Sequence, residues 1–441
     1  MERYERYKDS GVEWIGEIPE GWEVRKLKYG VTINPSKEDV DKDSIELIVF
    51  LPMEKVGEDG KIDCSIMKPI SELYNGFTFF HKNDVIVAKI TPCFENGKGA
   101  ILNKLATDYG FGSTEFHVLR AKKNINALFL YYVTKSEVFM KVGEAFMSGA
   151  AGQKRVPTNF ISDFPLVSPR IEAQNAIANY LDRKTAEIDE LIAQKERLIE
   201  LYEEEKTAII NQAVTKGIDP DVRLKDSGID WLGEIPEGWE VKKLKYMVTD
   251  IITGKTPPSS NAKFYNGDVN WFAPGDFNSE IELFDSKKKI TDYAVEASGM
   301  KIFPEHTILL VGIGATVGKM GITKCTGTSN QQINAIIVKE DIINPHFALY
   351  FLLSFKTAII RLANAATLPI FNQSQTKSFE IFIPDIDDQT AIVHHIETQT
   401  TRINAKIAKT KRIIELQKEY RTALISEVVT GKIKVTQEMV S

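Results

Sequence analysis

The stretch closest to a catalytic motif is residues 312–320, Gly-Ile-Gly-Ala-Thr-Val-Gly-Lys-Met. A phosphate-binding P-loop needs four residues between its glycines and a Ser or Thr after its lysine, because the hydroxyl binds Mg²⁺. Here five residues separate Gly312 from Gly318, three separate Gly314 from Gly318, and methionine follows Lys319. The spacing disfavours an ATP site and predicts a tight strand-to-loop turn that holds Lys319 near a phosphate group.

The cysteines and histidines show no metal-ligand or disulfide pattern. Cys64, Cys93 and Cys325 are scattered, which fits a reducing compartment without a disulfide framework. His394 and His395 are adjacent on a predicted helix, so their side chains point in different directions and make a poor metal site. We therefore expect no metal site in this chain.

Length and composition set the broad class. A chain of 441 residues suggests about two to four domains, and 43% apolar with 26% charged residues is ordinary for a globular protein. The net charge of −6 argues against a surface that binds nucleic acid everywhere, but it leaves room for a local basic groove. We find no signal peptide and no apolar run of the ~18–20 residues that span a bilayer, so we expect a cytoplasmic protein.

Two segments of the chain are nearly identical. Residues 7–29 recur as residues 224–246, at an offset of 217, and both contain Gly-Glu-Ile-Pro-Glu-Gly-Trp-Glu-Val. This period is far beyond the ~20–50 residues of solenoid repeats, so it indicates one duplicated domain. The repeat contains four tryptophans at matched positions, for which core packing is favoured over base stacking. They are Trp14, Trp22, Trp231 and Trp239.

Each copy ends in a long amphipathic helix. Residues 171–217 carry apolar side chains every three or four positions, and a shift of 215 positions superimposes this stripe on that of residues 389–432. At ~1.5 Å per residue such a helix is on the order of 60 Å long and cannot cover its own stripe. Residues 170–217 have a net charge of −3 and residues 386–434 of +3. Matched stripes with opposite charges predict an antiparallel coiled coil, with two separate surface helices as the alternative.

The remaining regions carry both strand and helix patterns. Apolar runs predict strands at 45–51, 84–90, 308–313 and 333–338, and helical spacing predicts helices at 126–146 and 345–362. A strand closed by proline, at 164–169 and 379–384, precedes each long helix. We therefore predict an α+β fold with two similar globular domains, each with a mixed sheet, in a pseudo-two-fold internal repeat. The predicted boundaries are 1–169 and 218–384 for the domains, 170–217 and 385–434 for the spacer helices, and 435–441 for a C-terminal tail.

Two similar domains on paired helices give one chain approximate two-fold symmetry. Duplex DNA has similar symmetry, and dimeric readers place two recognition units about one helical turn, ~34 Å, apart. Because the two domains differ in sequence, they would read two different half-sites. The architecture permits a bipartite, asymmetric DNA reader, while an adaptor that holds two proteins without DNA stays open.

The repeated openings resemble those of the specificity subunit of type I restriction-modification enzymes. The similarity covers nearly the whole chain, although the family's usual Glu-Gln at each long-helix start is Ala-Gln at 173–174 and Asp-Gln at 388–389. Further similar features are Gly-Lys-Thr-Pro-Pro-Ser-Ser at 254–260, Trp271, Pro-Gly-Asp at 274–276, Ser-Asn-Gln-Gln at 329–332, and the pairs Pro169 with Gln174 and Pro384 with Gln389.

The resemblance implies that each globular domain reads one half of a split target in double-stranded DNA. It also implies that the helices set the spacing and dock two modification subunits, which carry an S-adenosylmethionine-dependent adenine methyltransferase. Restriction subunits would join them to form a nuclease driven by ATP with Mg²⁺. This chain itself is then expected to hold no cofactor and to be a non-catalytic, cytoplasmic subunit of a prokaryotic complex.

The chain lacks the methyltransferase motif of such a partner. That motif is Asn/Asp-Pro-Pro-aromatic, and the closest strings here are Asn-Pro-Ser at 34–36 and Asn-Pro-His-Phe at 344–347. Together with the interrupted glycine-rich loop, this disfavours the last alternative, a stand-alone NTPase or nuclease.

Positions shared by the two copies predict phosphate contacts, and positions that differ predict base contacts. Lys98 and Lys319 follow a glycine in both copies and are the predicted phosphate contacts, while the shared basic stretches 25–28 and 242–245 position the duplex at most. Predicted base readers are polar side chains on loops, where turn-forming and capping roles are the alternative. They are Lys89, Thr91, Asn96, Gln153, Lys154 and Arg155 in the first domain, and Thr253, Lys255, Thr256, Asn330, Gln331, Gln332, Asn372 and Gln373 in the second.

Overall fold

The computed structural model describes residues 2–150, 152–229, 233–278, 281–363 and 369–440. The chain forms two compact units: unit 1 comprises Met1–Glu196 with Lys411–Ser441, and unit 2 comprises Arg197–Thr410. Each unit contains one globular region and a part of each long helix. The predicted domain boundaries stay a prediction, since the two units divide within the helices.

The elements of unit 1 are mostly short. Its strands are β1 (Tyr7–Asp9), β2 (Glu17–Pro19), β3 (Glu23–Lys26), β4 (Val31–Ile33), β5 (Leu47–Leu51), β6 (Met67–Pro69), β7 (Thr78–His81), β8 (Val85–Ala88), β9 (Gly99–Ile101), β10 (Tyr109–Gly112), β11 (Phe116–Ala121) and β12 (Pro165–Ser168). Its helices are α1 (Ile70–Leu73), α2 (Ala127–Lys135), α3 (Glu137–Ala145), α4 (Thr158–Asp163) and α5 (Ile171–Lys216), which continues into unit 2.

Two four-stranded sheets build the globular region of unit 1. One has the antiparallel order β4-β11-β8-β9, and the other has the order β6-β5-β10-β7 with β5 and β10 parallel. Val49, Phe80, Ile86 and Val118 from both sheets are buried in one cluster. The strand before α5, β12, pairs with β3 of the repeated segment, so the repeat fixes where the long helix begins.

Unit 2 repeats this plan with different strands at its periphery. Its strands are β13 (Leu224–Asp226), β14 (Glu234–Pro236), β15 (Glu240–Lys243), β16 (Val248–Thr253), β17 (Tyr265–Phe272), β18 (Glu282–Leu283), β19 (Lys289–Ile290), β20 (Ile308–Val311), β21 (Met320–Thr323), β22 (Gly327–Ser329), β23 (Ile333–Val338) and β24 (Glu380–Ile383). The helices that follow α5 are α6 (Asp292–Ala297), α7 (Pro345–Ser354), α8 (Lys356–Ala363), α9 (Gln373–Ser378), α10 (Ile386–Val429) and α11 (Gln437–Val440), of which α10 ends in unit 1 and α11 lies within unit 1.

The two larger sheets of unit 2 are mixed, while the pairs β13-β14 and β15-β24 are antiparallel. The larger has the order β16-β23-β20-β21-β18, in which β18 and β21 are parallel, and the smaller has the order β19-β17-β22, in which β17 and β22 are parallel. The mixed sheet predicted for each globular region is therefore confirmed, in unit 1 through the pair β5 and β10.

The two predicted medium-length helices are each interrupted. The helix predicted at 126–146 is divided at Ser136, whose backbone is extended (φ −69°, ψ 145°) and whose hydroxyl caps α3 by accepting the N–H of Phe139. The helix predicted at 345–362 is divided at Phe355 (φ −101°, ψ 17°). Helical periodicity continues across both interruptions, because a local change of backbone conformation does not alter which side chains are apolar. At the first interruption an N-cap serine makes that change.

Segments of the two long helices pack against each other within each unit. In unit 1 Arg421 Nε of α10 lies 2.9 Å from Asp189 Oδ1 of α5. In unit 2 Lys206 Nζ of α5 donates to Asn404 Oδ1 of α10 at 3.0 Å, and Lys406 Nζ lies 5.1 Å from the ring of Tyr202. Later residues of one helix meet earlier residues of the other, so the predicted antiparallel pairing is confirmed inside each unit.

A buried glutamine ties the start of each long helix to its globular region. Gln174 accepts the backbone N–H of Asn126 through Oε1 at 2.9 Å, and its Nε2 donates to the carbonyl oxygens of Asn124 (3.2 Å) and Pro169 (2.9 Å). In unit 2, Gln389 makes the same three bonds at 2.8, 3.1 and 2.9 Å, to Asn344, Ile342 and Pro384. Both glutamines are buried, so each bond satisfies a group that water cannot reach.

The repeated segments lie against the C-terminal ends of the long helices. Trp22 is buried beside Gly431, just after α10, and Trp239 beside Gly217, just after α5. Both glycines have a positive φ, +76° and +74°, which is the usual helix C-terminal conformation. The core role predicted for the tryptophans is thus confirmed for these two.

The core role predicted for Trp14 was wrong, and the fourth tryptophan of the repeat, Trp231, lies outside the described residues. Trp14 is 50% exposed and lines a shallow cleft with Phe146 and Phe164. It belongs to the turn between β1 and β2.

Membrane-spanning character was assessed over the described residues. No single helix there is long and apolar enough to cross a bilayer, and only the bent pair α7 and α8, with 65° between them, reaches the threshold when joined.

We predict that Gln174→Ala lowers the free energy of unfolding by at least about 2 kcal/mol, since three buried backbone groups lose their partner. Gln194→Ala is the matched control, because this exposed glutamine of the same helix bonds only Glu190, and its change should stay within about 0.5 kcal/mol. Chemical denaturation of the full chain measures both. Equal effects of the two substitutions would contradict the role of Gln174.

Candidate nucleic-acid interface

In unit 1, three backbone hydrogen bonds hold a loop across the end of the central sheet. Lys89 N donates to Glu115 O (2.9 Å), Val156 N donates to Lys89 O (2.7 Å), and Thr91 N donates to Lys154 O (3.0 Å). We call these bonds and the segments that they join, residues 89–91, Glu115 and residues 152–156, the recognition frame of unit 1. The frame brings the loop after β8, the residue before β11 and residues 152–156 together.

Unit 2 contains the same frame. Gly312 N donates to Gln332 O (2.7 Å), Phe371 N to Gly312 O (2.7 Å), and Gly314 N to Pro369 O (3.1 Å). These bonds match those of unit 1 one by one, so Gln332 occupies the place of Glu115 and Phe371 that of Val156. The two units therefore share a backbone arrangement while their side chains differ.

In each unit, a polar side chain of the central strand donates a hydrogen bond to the backbone of the frame. His117 Nε2 donates to Val156 O at 2.9 Å, and at the equivalent position Asn334 Nδ2 donates to Phe371 O at 3.0 Å. Burial lowers the pKa of His117, so the ring is neutral at physiological pH. Asn334 also accepts the hydroxyl of Thr253 at 2.9 Å, which anchors the end of β16 to the same point.

The glycine-rich stretch forms a turn between two antiparallel strands. Gly318 N donates to Val311 O at 2.9 Å, and Gly314 and Gly318 have φ of +99° and +85°. A P-loop joins a strand to a helix, whereas this stretch joins β20 to β21. The predicted tight turn is confirmed, and it carries a half-buried Lys319.

Most of the predicted DNA contacts in unit 1 lie on its frame. Gln153 and Lys154 are exposed at the tip of the loop, and Lys89 is half-buried beside them. Thr91 is engaged locally, since its hydroxyl donates to Gly152 O (2.7 Å) and accepts Lys154 N (3.1 Å). Arg155 makes two bonds to Glu115, Nε to Oε2 at 2.9 Å and Nη2 to Oε1 at 2.8 Å.

Two predicted contacts of unit 1 point away from the loop tip. Asn96 Nδ2 donates to Glu58 Oε1 at 2.9 Å, and Lys98 Nζ donates to Met53 O at 3.2 Å. Each would have to exchange a partner within the protein before touching DNA.

The predicted contacts of unit 2 form one cluster of loops. Thr256 donates to Gln331, Gln373 donates to Ile251 O, and Lys255 Nζ donates to the carbonyl oxygens of Ser298 and Gly299 (2.9 and 3.1 Å). Gln331 and Lys255 are exposed. These side chains lie around the frame, where a groove of DNA could approach them.

Two asparagines of that cluster stabilise the conformation of its loops. Asn330 is buried, accepts Gln332 N at 3.0 Å and donates to Gln332 Oε1 at 3.1 Å. Asn372 caps α9 by accepting Gln375 N at 2.9 Å. Both positions carry the turn and capping roles that asparagine favours.

Sequence reasoning missed Glu115, His117 and Asn334. A signal for them exists, because at the repeat offset of 217 Glu115 aligns with Gln332 and His117 with Asn334. The last two are polar residues inside runs that are otherwise apolar. Among the described residues, no group of three His, Cys, Asp or Glu side chains is arranged to hold a metal ion.

Comparison with known proteins gives a consistent family match. The family model described as type I restriction modification DNA specificity domain matches residues 19–201 and again 236–417. The chain is 42% identical over 164 residues to the type I restriction enzyme EcoAI specificity subunit of Escherichia coli, which covers 36% of this chain and 27% of that one. Alignments to this subunit and to its EcoEI counterpart thus span about a quarter of those relatives.

A more distant relative aligns along its whole length. The putative type I restriction enzyme MjaX specificity subunit of Methanocaldococcus jannaschii is 25% identical over 444 residues, covering 96% of each chain. Two solved structures share the fold at 18% identity. One, from a study of complex assembly and conformational transition in a type I R-M system, has a TM-score of 0.77 and covers 94% of this chain and 99% of its own. The other, the HsdS subunit of Thermoanaerobacter tengcongensis, has a TM-score of 0.59 with coverages of 94% and 98%.

Proposed function

The chain belongs to the type I restriction modification DNA specificity family, and we propose that it is the specificity subunit of a type I restriction-modification complex. In this proposal each unit binds one half-site of a bipartite, asymmetric target in double-stranded DNA. The observation that carries it is the duplicated recognition frame, in which matching backbone bonds present different side chains. A shared frame with different readers is what two unlike half-sites on one uniform duplex require.

The loops of the frames supply the readers. The exposed Gln153 and Lys154 of unit 1 and Gln331 and Lys255 of unit 2 are long enough to reach base edges in the major groove. Several of the surrounding polar groups are already bonded within the protein, which fixes the loop backbone before DNA arrives. Preorganisation of this kind reduces the entropy lost on binding.

The long helices offer one docking surface per unit. Leu201 of α5 in unit 2 and Leu416 of α10 in unit 1 are 44% and 46% exposed, at the helix offset of 215. Each follows an arginine–glutamate pair on the same helix, Arg197 with Glu200 and Arg412 with Glu415. Because the surface occurs twice, it suits two copies of one partner, which we propose are the modification subunits.

Catalysis then belongs to the partners. The modification subunits would bind S-adenosylmethionine and methylate an adenine in each half-site, which requires the base to be flipped out of the duplex. Restriction subunits would supply the ATP- and Mg²⁺-dependent nuclease. This chain would act without a cofactor in the cytoplasm, where it fixes the place on DNA at which those reactions occur.

The test of the function is binding by the full complex to duplexes selected from a random pool. We predict that Gln153→Ala and Gln331→Ala each weaken binding to the selected duplex by about 1–3 kcal/mol, and that each relaxes selection in a different half. Gln212→Ala, on the exposed face of α5, is the control and should change neither half. Equal losses on the selected duplex and on unrelated DNA would argue against base reading.

The salt dependence of DNA binding reveals a lysine that contacts phosphate. We expect Lys319→Ala and Lys98→Ala each to weaken binding to all sequences and to reduce the slope of log K against log salt by about one unit. The exposed Lys418 of α10 provides a substitution of equal charge that should leave the slope unchanged. A slope that matches wild type would exclude the phosphate contact of that lysine.

The mass of the assembled complex tests whether modification subunits dock on the helices. Leu201→Glu or Leu416→Glu should leave a complex that has lost one modification subunit, and the double substitution should lose both, because a carboxylate replaces an apolar contact. Native mass spectrometry counts the subunits, and Gln212→Glu controls for the added charge. Full complexes from all variants would place the docking surface elsewhere.

A further inference from the structure

Among the residues that the structure describes, the guanidinium of Arg155 has partners on one of its edges. Nε and Nη2 donate to the two carboxylate oxygens of Glu115 at 2.9 and 2.8 Å. A guanidinium carries five N–H donors, so the edge formed by its two terminal nitrogens keeps donors available. The side chain is 44% exposed, so a ligand can reach the guanidinium from solvent.

Both partners of this pair have fixed backbones. Arg155 N donates to Ser148 O at 2.8 Å, and Ser148 N donates back to Arg155 O at 3.1 Å. Glu115 accepts Lys89 N through its carbonyl and stands directly before β11. The backbone bonds fix both residues of the pair, and the pair fixes the direction of the Arg155 guanidinium. A side chain that recognises a base needs to be preorganised in this way.

Guanine is the base whose major-groove edge presents two acceptors, N7 and O6, at the spacing of such a fork. Adenine, cytosine and thymine each present at most one acceptor there beside a donor or a methyl group. We propose that Arg155, positioned by Glu115, reads a guanine in the half-site bound by unit 1. This assignment rests on the proposed function and adds the identity of one base to it.

Glu115 stays charged in this role. Its hydrogen bonds to Arg155 lower the pKa of the carboxyl group, against a smaller opposing effect of burial, and the nearby Lys89 adds to the lowering. An ionised carboxylate makes stronger hydrogen bonds to the guanidinium than a neutral one, so it restrains the Arg155 side chain in its orientation. It also disfavours phosphate beside the fork, which directs the arginine to a base.

A second arginine of unit 1 makes the same two-bond contact with a carboxylate but has a structural role. Arg120 bonds Asp84 with distances of 2.9 and 2.8 Å, but Asp84 is 2% exposed and the pair lies at the opposite end of β11 from Glu115. That pair neutralises a buried carboxylate. The Arg155 pair lies on the recognition frame instead.

The frame of unit 2 carries other residues at both positions. Gln332 replaces Glu115, and Ile370, which pairs with Ile313 as Arg155 pairs with Ile90, replaces the arginine. Ile370 is 37% exposed and has no side-chain donor. A guanine requirement from this position therefore applies to one half-site only.

The experiment uses the full complex and the duplex that it selects from a random pool. Each guanine of the half-site relaxed by Gln153→Ala is replaced in turn by 7-deazaguanine, which lacks the N7 acceptor. We expect one replacement to weaken binding about 10- to 100-fold. Arg155→Lys keeps the charge but replaces the planar fork by a single ammonium group, so it should weaken the unmodified duplex and reduce the penalty of the same replacement.

Two further variants sharpen the result. Glu115→Gln should lower discrimination at that guanine by a smaller factor, since the fork loses its anchor but not its donors. Arg6→Lys, in the exposed pair of Arg6 with Glu20, is the control and should keep the full penalty for 7-deazaguanine.

Several outcomes would overturn the assignment. It fails if the selected half-site contains no guanine, if the 7-deazaguanine penalty is the same in Arg155→Lys as in wild type, or if Arg155→Lys weakens selected and unrelated duplexes equally. In these cases a wild-type complex that still selects its target leaves the proposed function standing. A wild-type complex that selects no sequence overturns both.

Discussion

A helix of 46 residues with an apolar stripe cannot cover that stripe by itself, and this constraint shapes the whole chain. The stripe of α5 is covered by α10 in each unit, so unit 1 combines the first part of the chain with its last thirty-one residues. The helices are also part of the cores. In unit 2, Val214 of α5 and Ile392 and Ile396 of α10 lie in the same buried cluster as the sheet residues. A long helix here is inseparable from the domain it supports.

The anchors of the helices explain how a recognition loop can be variable on a fixed support. Gln174 and Gln389 fasten the helix starts, Trp22 and Trp239 cover the helix ends, and the frame bonds involve backbone atoms. None of these contacts requires a particular side chain at the loop tips. The side chains that would meet DNA are therefore free to differ, as Arg155 and Ile370 do.

Much of the fold could be predicted because its signals are local. The strand at 333–338 has the predicted bounds, and the long helices begin and end within a few residues of the apolar stripes. The divisions at Ser136 and Phe355 escaped prediction because periodicity persists through them. Trp14 escaped because matched spacing does not distinguish a buried tryptophan from an exposed one.

The interface was less accessible from sequence, since its pairings are long-range. Arg155 was predicted, but its partner Glu115 lies 40 residues earlier with no local mark. Thr91 and Asn372 were chosen as polar loop residues, and the structure shows both bonded within their loops. Only tertiary contacts separate a polar residue that shapes a loop from one whose donors remain free.

The near identity of residues 7–29 and 224–246 has a consequence for inheritance. Two genes of this kind can cross over within either copy, because the matching stretches give recombination a place to act. Such an exchange transfers a globular region together with its own glutamine anchor, since Gln174 lies between the two copies. Trp22 and Trp239, which cover the helix ends, lie at matched positions of the repeat, so the same packing residue is present on either side of the junction.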